Sequence, residues 1–178
     1  MPLKVQILNP LATKPTIAHP GEDMAYDVYA LRIQAQPLKE DGTPVSWTPP
    51  APGLPTRLDM SGKIVHPIRI EAGRPLVVPT GIAVHYVGKK DQPYGLLVRD
   101  RSSMAMKGIF VTAGVIDSGY RGELNIVFNL STGSYQDIWP GDKIAQLIPM
   151  PIYADTVEIV EELDESKRKE KGFGSTGA

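Results

Sequence analysis

The stretch LNIVFNL at residues 124–130 decides the fold class of this chain. Four apolar residues occupy every second position of it, and its two asparagines lie between them. Successive side chains of an extended strand point to opposite faces, so this alternation puts the four apolar side chains on one face. The stretch is therefore predicted to be a β-strand with one buried face.

Shorter apolar segments recur along the chain and are separated by turn signals. Glycine and proline number 17 each and are scattered throughout, which breaks helices of ordinary length but suits short strands joined by turns. We predict an all-β fold, a compact barrel or sandwich of short strands, with one helical turn at 103–107 that ends before Gly108. The further strand candidates are residues 4–8, 27–31, 64–70, 76–80, 82–86, 94–99, 109–111 and 156–161.

Length and charge narrow the class of protein. A chain of 178 residues is typical of a single domain. Its 19 basic and 20 acidic residues give a net charge of −1, which argues against direct binding of nucleic acid or a membrane surface. No uncharged apolar stretch reaches the roughly 18 residues of a membrane span. The N-terminal sequence MPLKV lacks the charged-then-apolar layout of a signal peptide, so we expect a cytoplasmic location.

The residue types that are missing limit the chemistry. The chain has no cysteine, which excludes disulfide scaffolds, thiol nucleophiles and cysteine-based metal sites. Its three histidines, His19, His66 and His85, lie far apart in the sequence, which disfavours a histidine metal cage or a Ser-His-Asp triad. Catalysis would have to use carboxylates, hydroxyls, Arg, Lys and backbone amides.

The domain organisation is predicted to be one β domain at 1–163 followed by a flexible C-terminal arm at 164–178. A proline-rich stretch at about 36–63 is interpreted as an insertion on the surface, either a plain loop or an arm that packs against another chain. The arm ends in GFGSTGA at 172–178, whose glycines would let backbone N–H groups wrap an oxyanion. A disordered Gly/Ser terminus is the alternative.

Four internal stretches carry polar residues that could bind or react. Arg101-Ser102-Ser103 opens the helical turn, where hydroxyls and N–H groups suit an anion, although a plain helix cap is an alternative. Asp117 follows an apolar strand and enters a glycine turn, where aspartate is common for structural reasons alone. Gln146 lies among apolar neighbours after a turn, and Asp27 is embedded in strand-like sequence.

Together, in this order and spacing, these stretches resemble the five motifs of the trimeric dUTP diphosphatase (dUTPase) family. The similarity extends from about residue 20 to residue 177, and the proline-rich insertion interrupts it. The five matching stretches are residues 25–30, 101–108, 113–122, 141–147 and 168–177.

The resemblance implies an activity and a fold. The fold would be the β-clip or distorted jelly-roll barrel of that family, assembled as a homotrimer with shared active sites. The reaction would convert dUTP to dUMP and pyrophosphate, limiting uracil in DNA and supplying dUMP. Asp117 would activate the water that attacks the α-phosphorus, and Gln146 would contact the α-phosphate region and this water.

The resemblance also assigns substrate contacts. Mg²⁺ would be held mainly by the three phosphates, and Asp27 would reach it through water. The uracil edge and the deoxyribose would be read by Val111, Gly114, Val115, Ile116 and Tyr120. The triphosphate would be held by Arg101, Ser102 and Ser103, while the arm would add Arg168, Phe173, Gly174, Ser175 and Thr176.

Some positions depart from the family pattern. Asp100 stands where proline is usual, Ser103 where glycine is commonest, and Lys169 and Lys171 replace glycines in the arm. The insertion is the largest departure.

Two alternative functions stay open at this point. The first is a dCTP deaminase, or a bifunctional deaminase and dUTPase, on the same fold. In that family a catalytic glutamate is expected where this chain has Val127, and an arginine where it has Met106. The second is a non-catalytic regulatory protein of dUTPase type, in which the insertion is the working part.

Overall fold

The structure is a computed structural model that describes residues 2–31, 55–58, 64–88, 92–153, 156–162 and 164. These residues form short strands and one four-residue helix, α1 (Ser102–Ala105), which is far too short to cross a membrane. The strands are β1 (Leu3–Ile7), β2 (Tyr26–Tyr29), β3 (Arg57–Leu58), β4 (Ile64–Val65), β5 (Ile68–Glu71), β6 (Leu76–Pro79), β7 (Ile82–Tyr86), β8 (Tyr94–Asp100), β9 (Ile109–Val111), β10 (Val115–Ile116), β11 (Asn125–Leu130), β12 (Tyr135–Ile138) and β13 (Lys143–Pro151).

The strands pair in several small antiparallel sheets. One sheet has four strands in the order β10-β8-β13-β2, and a second has three in the order β6-β11-β9. The strands β1 and β7, β12 and β5, and β3 and β4 form three further pairs. The predicted all-β class is confirmed.

The core forms around the stretch that decided the fold class. Leu124, Ile126 and Phe128 are fully buried, whereas Asn125 is exposed. Strand β11 lies between β6 and β9, so its apolar side chains pack on residues that come from distant parts of the chain. Burying a large apolar side chain of this kind contributes about 1.5–3 kcal/mol.

Two strand predictions differ from the structure. The predicted strand at 64–70 is divided into β4 and β5, and Pro67, which has no N–H to donate to a ladder, lies between them. Residues 156–161, also predicted to be a strand, contain no strand. No strand was predicted at β12, whereas β10 is the apolar strand expected before Asp117, and β13 continues to Pro151, well beyond the stretch at 141–147.

The helical turn is confirmed, with slightly different bounds. Met104 anchors it in the core, being 5% exposed. Gly108 follows the helix with φ +76°, a left-handed conformation that favours glycine. A Cβ atom at this position would also come within 2.2 Å of Thr132 Oγ1, so the turn into β9 needs glycine on both counts.

Candidate functional site

An ionic cluster forms where β2 and β13 meet the end of β8. Asp27 Oδ1 accepts a hydrogen bond from Arg101 Nε at 2.9 Å, and Asp27 Oδ2 accepts one from Lys143 Nζ at 2.8 Å. The Asp27 side chain is 13% exposed, against 25% for Arg101 and 40% for Lys143. We call these three residues the Asp27 cluster.

The charges in this cluster fix the ionisation of Asp27. Burial by itself raises the pKa of Asp27, but the hydrogen bond from Lys143 and the charges of Arg101 and Lys143 outweigh it, so the pKa lies below 3.8. In turn, the hydrogen bond to Asp27 and its charge raise the pKa of Lys143. Two cations face one anion, which leaves a net positive charge suited to a phosphate.

The other residues predicted to hold phosphates lie next to this cluster. Gln146 of β13 is paired directly with Asp27 of β2, and Arg99 of β8 lies opposite it on the other side. Arg101 occupies the N-cap position of α1, but its side chain turns to Asp27, and Nη1 donates to Ser103 Oγ at 3.3 Å. Ser102 and Ser103 are exposed at the start of the helix.

Lys143 was not identified from the sequence. Strand periodicity gave no signal for it, because residues three apart in a regular strand point to opposite faces. A β-bulge between Lys143 and Ala145 in the pairing of β13 with β2 changes this alternation, so that Lys143 also reaches Asp27. The pairing of β13 with β2 could not be predicted from the sequence, and this pairing brings Asp27 and Lys143, 116 positions apart, into contact.

A second region contains the residues predicted to read the nucleoside. A cavity of 560 Å³ is lined by Gly114, Val115, Ile116, Asp117 and Tyr120, and also by Val127 and Glu123. Val111 lines an adjoining cavity of 250 Å³ together with Gly114 and Val115. Asp117 is exposed, and the Tyr120 ring is 44% exposed. We call residues 111–117 the nucleoside wall.

Backbone contacts build this wall between two sheets. The Thr112 N–H donates to the Val127 carbonyl at 3.0 Å, and the Val98 N–H donates to the Gly114 carbonyl at 2.7 Å. The chain therefore passes from the β11 sheet to the β8 sheet within a few residues. A Cβ atom at Gly114 would lie 2.5 Å from the Val98 carbonyl oxygen, so only glycine allows this close approach.

The turn after the wall is held by the tyrosine. The Tyr120 N–H donates to the Asp117 carbonyl at 3.0 Å, and the Tyr120 hydroxyl donates to the Glu123 carbonyl at 2.9 Å. Glu123 Oε1 in turn accepts from the Gly81 N–H at 2.7 Å. Of the two carboxylates that line the cavity, Glu123 therefore helps to hold the fold, and Asp117 is exposed.

The two regions lie apart within one chain. Ile116 is paired with Leu96 on one side of β8, and Gln146 is paired with Arg99 on the other side. With about 3.3 Å per residue along a strand and about 4.8 Å between strands, Ile116 and Gln146 are about 14 Å apart. Asp117 is one residue further from Gln146, so a single chain does not bring these two predicted catalytic residues onto one water molecule.

Several predicted residues lie outside the described part of the chain. These are the arm residues Arg168, Phe173, Gly174, Ser175 and Thr176, and most of the insertion at 36–63. Within the described residues, no group of three or more His, Asp or Glu side chains is arranged to hold a metal ion. A metal cage made by this part of the protein is therefore absent.

Comparisons with known proteins identify the family. The family model for dUTPase matches residues 63–177. A deoxyuridine 5'-triphosphate nucleotidohydrolase of Paraburkholderia phymatum is 40% identical over 124 residues, which cover 67% of this chain and 81% of that protein.

Solved structures of the same fold include two from staphylococcal phages. An aspartate-to-glutamate mutant of the phage 80alpha dUTPase gives a TM-score of 0.70 at 23% identity and covers 98% of both chains. An aspartate-to-asparagine mutant dUTPase from phage phi11 of S. aureus, which coordinates a structural Mg(II) ion, gives 0.62 at 22% identity, covering 93% of this chain and 100% of that one. From the matched family model and the close bacterial relative, this chain belongs to the dUTPase family.

Proposed function

We propose that the protein is a dUTP diphosphatase, which hydrolyses dUTP to dUMP and pyrophosphate. The observation that carries the proposal is the 560 Å³ cavity, in which an exposed Asp117 carboxylate, the Tyr120 ring and a backbone-built wall meet. Family membership and the name of the Paraburkholderia relative support the same reaction.

In this proposal the nucleoside wall selects the base and the sugar. Backbone N–H and C=O groups of residues 111–116 pair with the uracil edge, and cytosine is rejected because its exchanged donor and acceptor leave those groups unpaired. The thymine methyl is excluded by shape, which discriminates by roughly 1–3 kcal/mol. The Tyr120 ring packs on the deoxyribose and leaves no room for a 2′-hydroxyl.

The chemical step uses the Asp117 carboxylate as a general base. It accepts a proton from water while the water oxygen forms a bond to the α-phosphorus. The bond from the α-phosphorus to the oxygen that bridges to the β-phosphorus breaks, and pyrophosphate leaves with that oxygen. Gln146 orients the α-phosphate and the water. The positive charge of the Asp27 cluster, to which Arg101 belongs, stabilises the phosphates together with Ser102 and Ser103.

The residues present fit a magnesium ion that the substrate brings. Each oxygen of Asp27 accepts one hydrogen bond, and a carboxylate has about four lone-pair sites, so Asp27 retains capacity to accept from metal-bound water. In this proposal the ion is held mainly by phosphate oxygens, and Asp27 reaches it through water. When bound, Mg²⁺ neutralises charge on the triphosphate and fixes its shape.

The proposed enzyme is a homotrimer whose sites lie between copies. The separation of about 14 Å between Ile116 and Gln146 supports this, because a water molecule and the group that activates it must lie within hydrogen-bond distance. A second copy would supply the Asp27 cluster to the nucleoside wall of the first. The proposed place of action is the cytoplasm.

The domain division is part of the proposal. Residues 1–163 form the β domain, and residues 164–178 form an arm that closes over the bound nucleotide. The outer phosphates are bound by the side chains of Arg168, Ser175 and Thr176 and by backbone N–H groups at Gly174. The ring of Phe173 lies over the base.

A deaminase is not favoured by the lining of the cavity. Val127, at the position where a deaminase would carry its glutamate, lines the cavity and cannot transfer a proton. Met106, at the arginine position, is 88% exposed. The other cavity carboxylate, Glu123, is held by the Gly81 N–H.

The proposal is tested with a panel of dUTP, dCTP, dTTP and UTP in the presence of Mg²⁺, scored for pyrophosphate and for ammonia. We expect pyrophosphate from dUTP far above the other nucleotides and no ammonia. Ammonia from dCTP at a comparable rate would establish the deaminase instead. Binding of dUTP without any product would establish the regulatory protein.

A further inference from the structure

A side-chain hydrogen bond joins the end of β8, next to the Asp27 cluster, to the nucleoside wall. Asp100 Oδ1 accepts a hydrogen bond from the Val111 N–H at 2.6 Å, in a partly buried position. Asp100 is the last residue of β8, and Val111 is the last residue of β9. A short bond from a peptide N–H to a carboxylate is charge-assisted and stronger than one between neutral groups.

Each end of this bond leads directly into one of the two regions. Asp100 precedes Arg101, whose guanidinium holds Asp27. Val111 precedes Thr112, where the chain leaves the β11 sheet and crosses towards β8. The Asp100 carboxylate therefore ties the start of the nucleoside wall, which β11 holds on its other side, to the end of β8.

The rest of the wall is held by hydrogen bonds between backbone N–H and C=O groups. Thr112 is attached to β11, and Gly114 is attached to Val98 of β8. Val115 and Ile116 then pair with Leu97 and Leu96. Val111 is also paired with Phe128 of β11, but its N–H donates to the Asp100 side chain and not to a neighbouring strand. This one bond at the start of the wall can therefore be removed by substitution without changing the backbone.

We propose that Asp100 is a positioning residue that sets the selectivity of the wall for the nucleobase. The inference rests on the proposed function, because it assumes that residues 111–116 read the uracil edge. The carboxylate holds the wall at one distance from the base, which leaves no room for an added methyl group at the position that thymine carries. Without this bond the wall can move outward, accept the methyl group and pair less well with uracil.

The experiment compares Asp100→Ala, Asp100→Glu and Asp100→Asn in the full-length protein. Asp100→Ala removes the acceptor, and Asp100→Glu displaces it by one methylene group. We expect both to lower kcat/KM for dUTP mainly through KM and to reduce the preference for dUTP over dTTP about fivefold. Asp100→Asn retains an acceptor oxygen in place, so it should keep most of the preference.

Amide hydrogen exchange of the free protein gives a readout that does not depend on turnover. In Asp100→Ala, exchange should become faster in a peptide covering residues 109–116 and stay unchanged in one covering β11. A merely structural role would speed exchange in both. If Asp100→Ala does not fold, Asp100→Glu carries the same expectation.

The outcomes separate this inference from the proposed function. A wild-type protein that does not hydrolyse dUTP refutes the proposed function, and the exchange measurement then still reports whether Asp100 holds the wall. A wild-type protein that does hydrolyse dUTP, with folded Ala and Glu variants that keep the wild-type preference over dTTP within twofold, refutes the role of Asp100.

Discussion

The Asp27 cluster and the nucleoside wall are built by opposite means. Side chains hold the cluster together, since one carboxylate accepts hydrogen bonds from two cations at 2.9 and 2.8 Å. Backbone hydrogen bonds hold the wall together, and the close approach of Gly114 to Val98 leaves no space for a side chain. Charged side chains suit a triphosphate, and fixed backbone donors and acceptors suit the edge of a base.

The two aspartates show the same contrast. Asp27 is nearly buried and ion-paired, so it is held as an anion and serves to hold positive groups. Asp117 is exposed beside the cavity, and within the described residues it takes part in no salt bridge. A carboxylate placed in this way can accept a proton from water, whereas one committed to two cations is poorly suited to that task.

The largest expected effect comes from the wall carboxylate. Asp117→Asn should lower kcat for dUTP by about 10³-fold or more, because general-base catalysis typically contributes 10²–10⁴-fold. Binding of dUTP, measured by calorimetry, should stay close to wild type. Glu123→Gln is the matched control on the same cavity and should retain most of the turnover. Normal hydrolysis by Asp117→Asn would remove Asp117 from the mechanism.

Removal of residues 168–178 tests whether the C-terminal arm is needed in addition to the two regions. We expect a folded protein with kcat/KM lowered about 10²-fold, since the clamp on the outer phosphates and the exclusion of water are lost. Circular dichroism checks the fold, and pyrophosphate release checks the rate. Unchanged turnover would show that the arm takes no part in closure.

Asp27→Asn tests whether the cluster also stabilises the fold. At pH 7 the variant should lose about 1–3 kcal/mol of unfolding free energy in urea, because hydrogen bonds to a charged group are lost. Since the pKa of Asp27 in the folded protein lies below 3.8, its contribution is present above about pH 4 and is lost as the pH falls through that lowered pKa.

The stabilities of wild type and Asp27→Asn should therefore converge as the pH falls below about 4. Glu22→Gln, an exposed carboxylate on the preceding loop, is the control and should follow wild type at every pH. A difference that persists unchanged into acid would show that the ionisation of Asp27 does not stabilise the fold.

Lys143→Met tests whether the net positive charge of the Asp27 cluster contributes to phosphate binding. The variant removes one of two cations, so the cluster loses its net positive charge, and affinity for a non-hydrolysable dUTP analogue without Mg²⁺ should fall about fivefold. Lys143→Arg keeps the charge and should bind like wild type. Affinity for deoxyuridine, which carries no phosphate, should not change in either variant. Equal loss for nucleoside and triphosphate would contradict the division into two regions.

The smallest expected effect on stability is at Arg57 of the insertion, which contacts the turn at 139–142 before Lys143. The Arg57 guanidinium lies 4.5 Å from the centre of the Trp139 ring and 3.3 Å from Asp142 Oδ1. Because the Arg57 side chain is 44% exposed, Arg57→Gln should cost less than about 1 kcal/mol in urea unfolding and leave KM unchanged. Arg74→Gln, at an arginine 82% exposed, should have no measurable effect.

Local sequence patterns predicted much of the fold. The alternation at 124–130 gave the strand β11 and its buried face, and Gly108 marked the end of the helix. The boundary at Pro67 was missed because an apolar run on both sides of the proline suggested one continuous strand. The strand β12 was missed because its residues, Tyr135–Ile138, are mainly polar and carry no clear alternation.

The candidate site was predicted in its residue types but not in its contacts. The five motifs gave Asp27, Arg101, Asp117, Tyr120 and Gln146 as candidates. Lys143, the partner of Asp27, lies 116 residues away from it, and Val111, the partner of Asp100 beside the second motif, lies 11 residues away. Both contacts follow from strand register. Register depends on the packing of whole sheets, which no short motif contains.

The sequence by itself determined the class of fold and the family, because alternation, turn residues and motif order are local properties of the chain. Only the tertiary structure decided that the Asp27 cluster and the nucleoside wall lie at different places along β8. The physical reason is that antiparallel pairing fixes each residue opposite one partner, and that partner is set by the burial of the core rather than by nearby sequence.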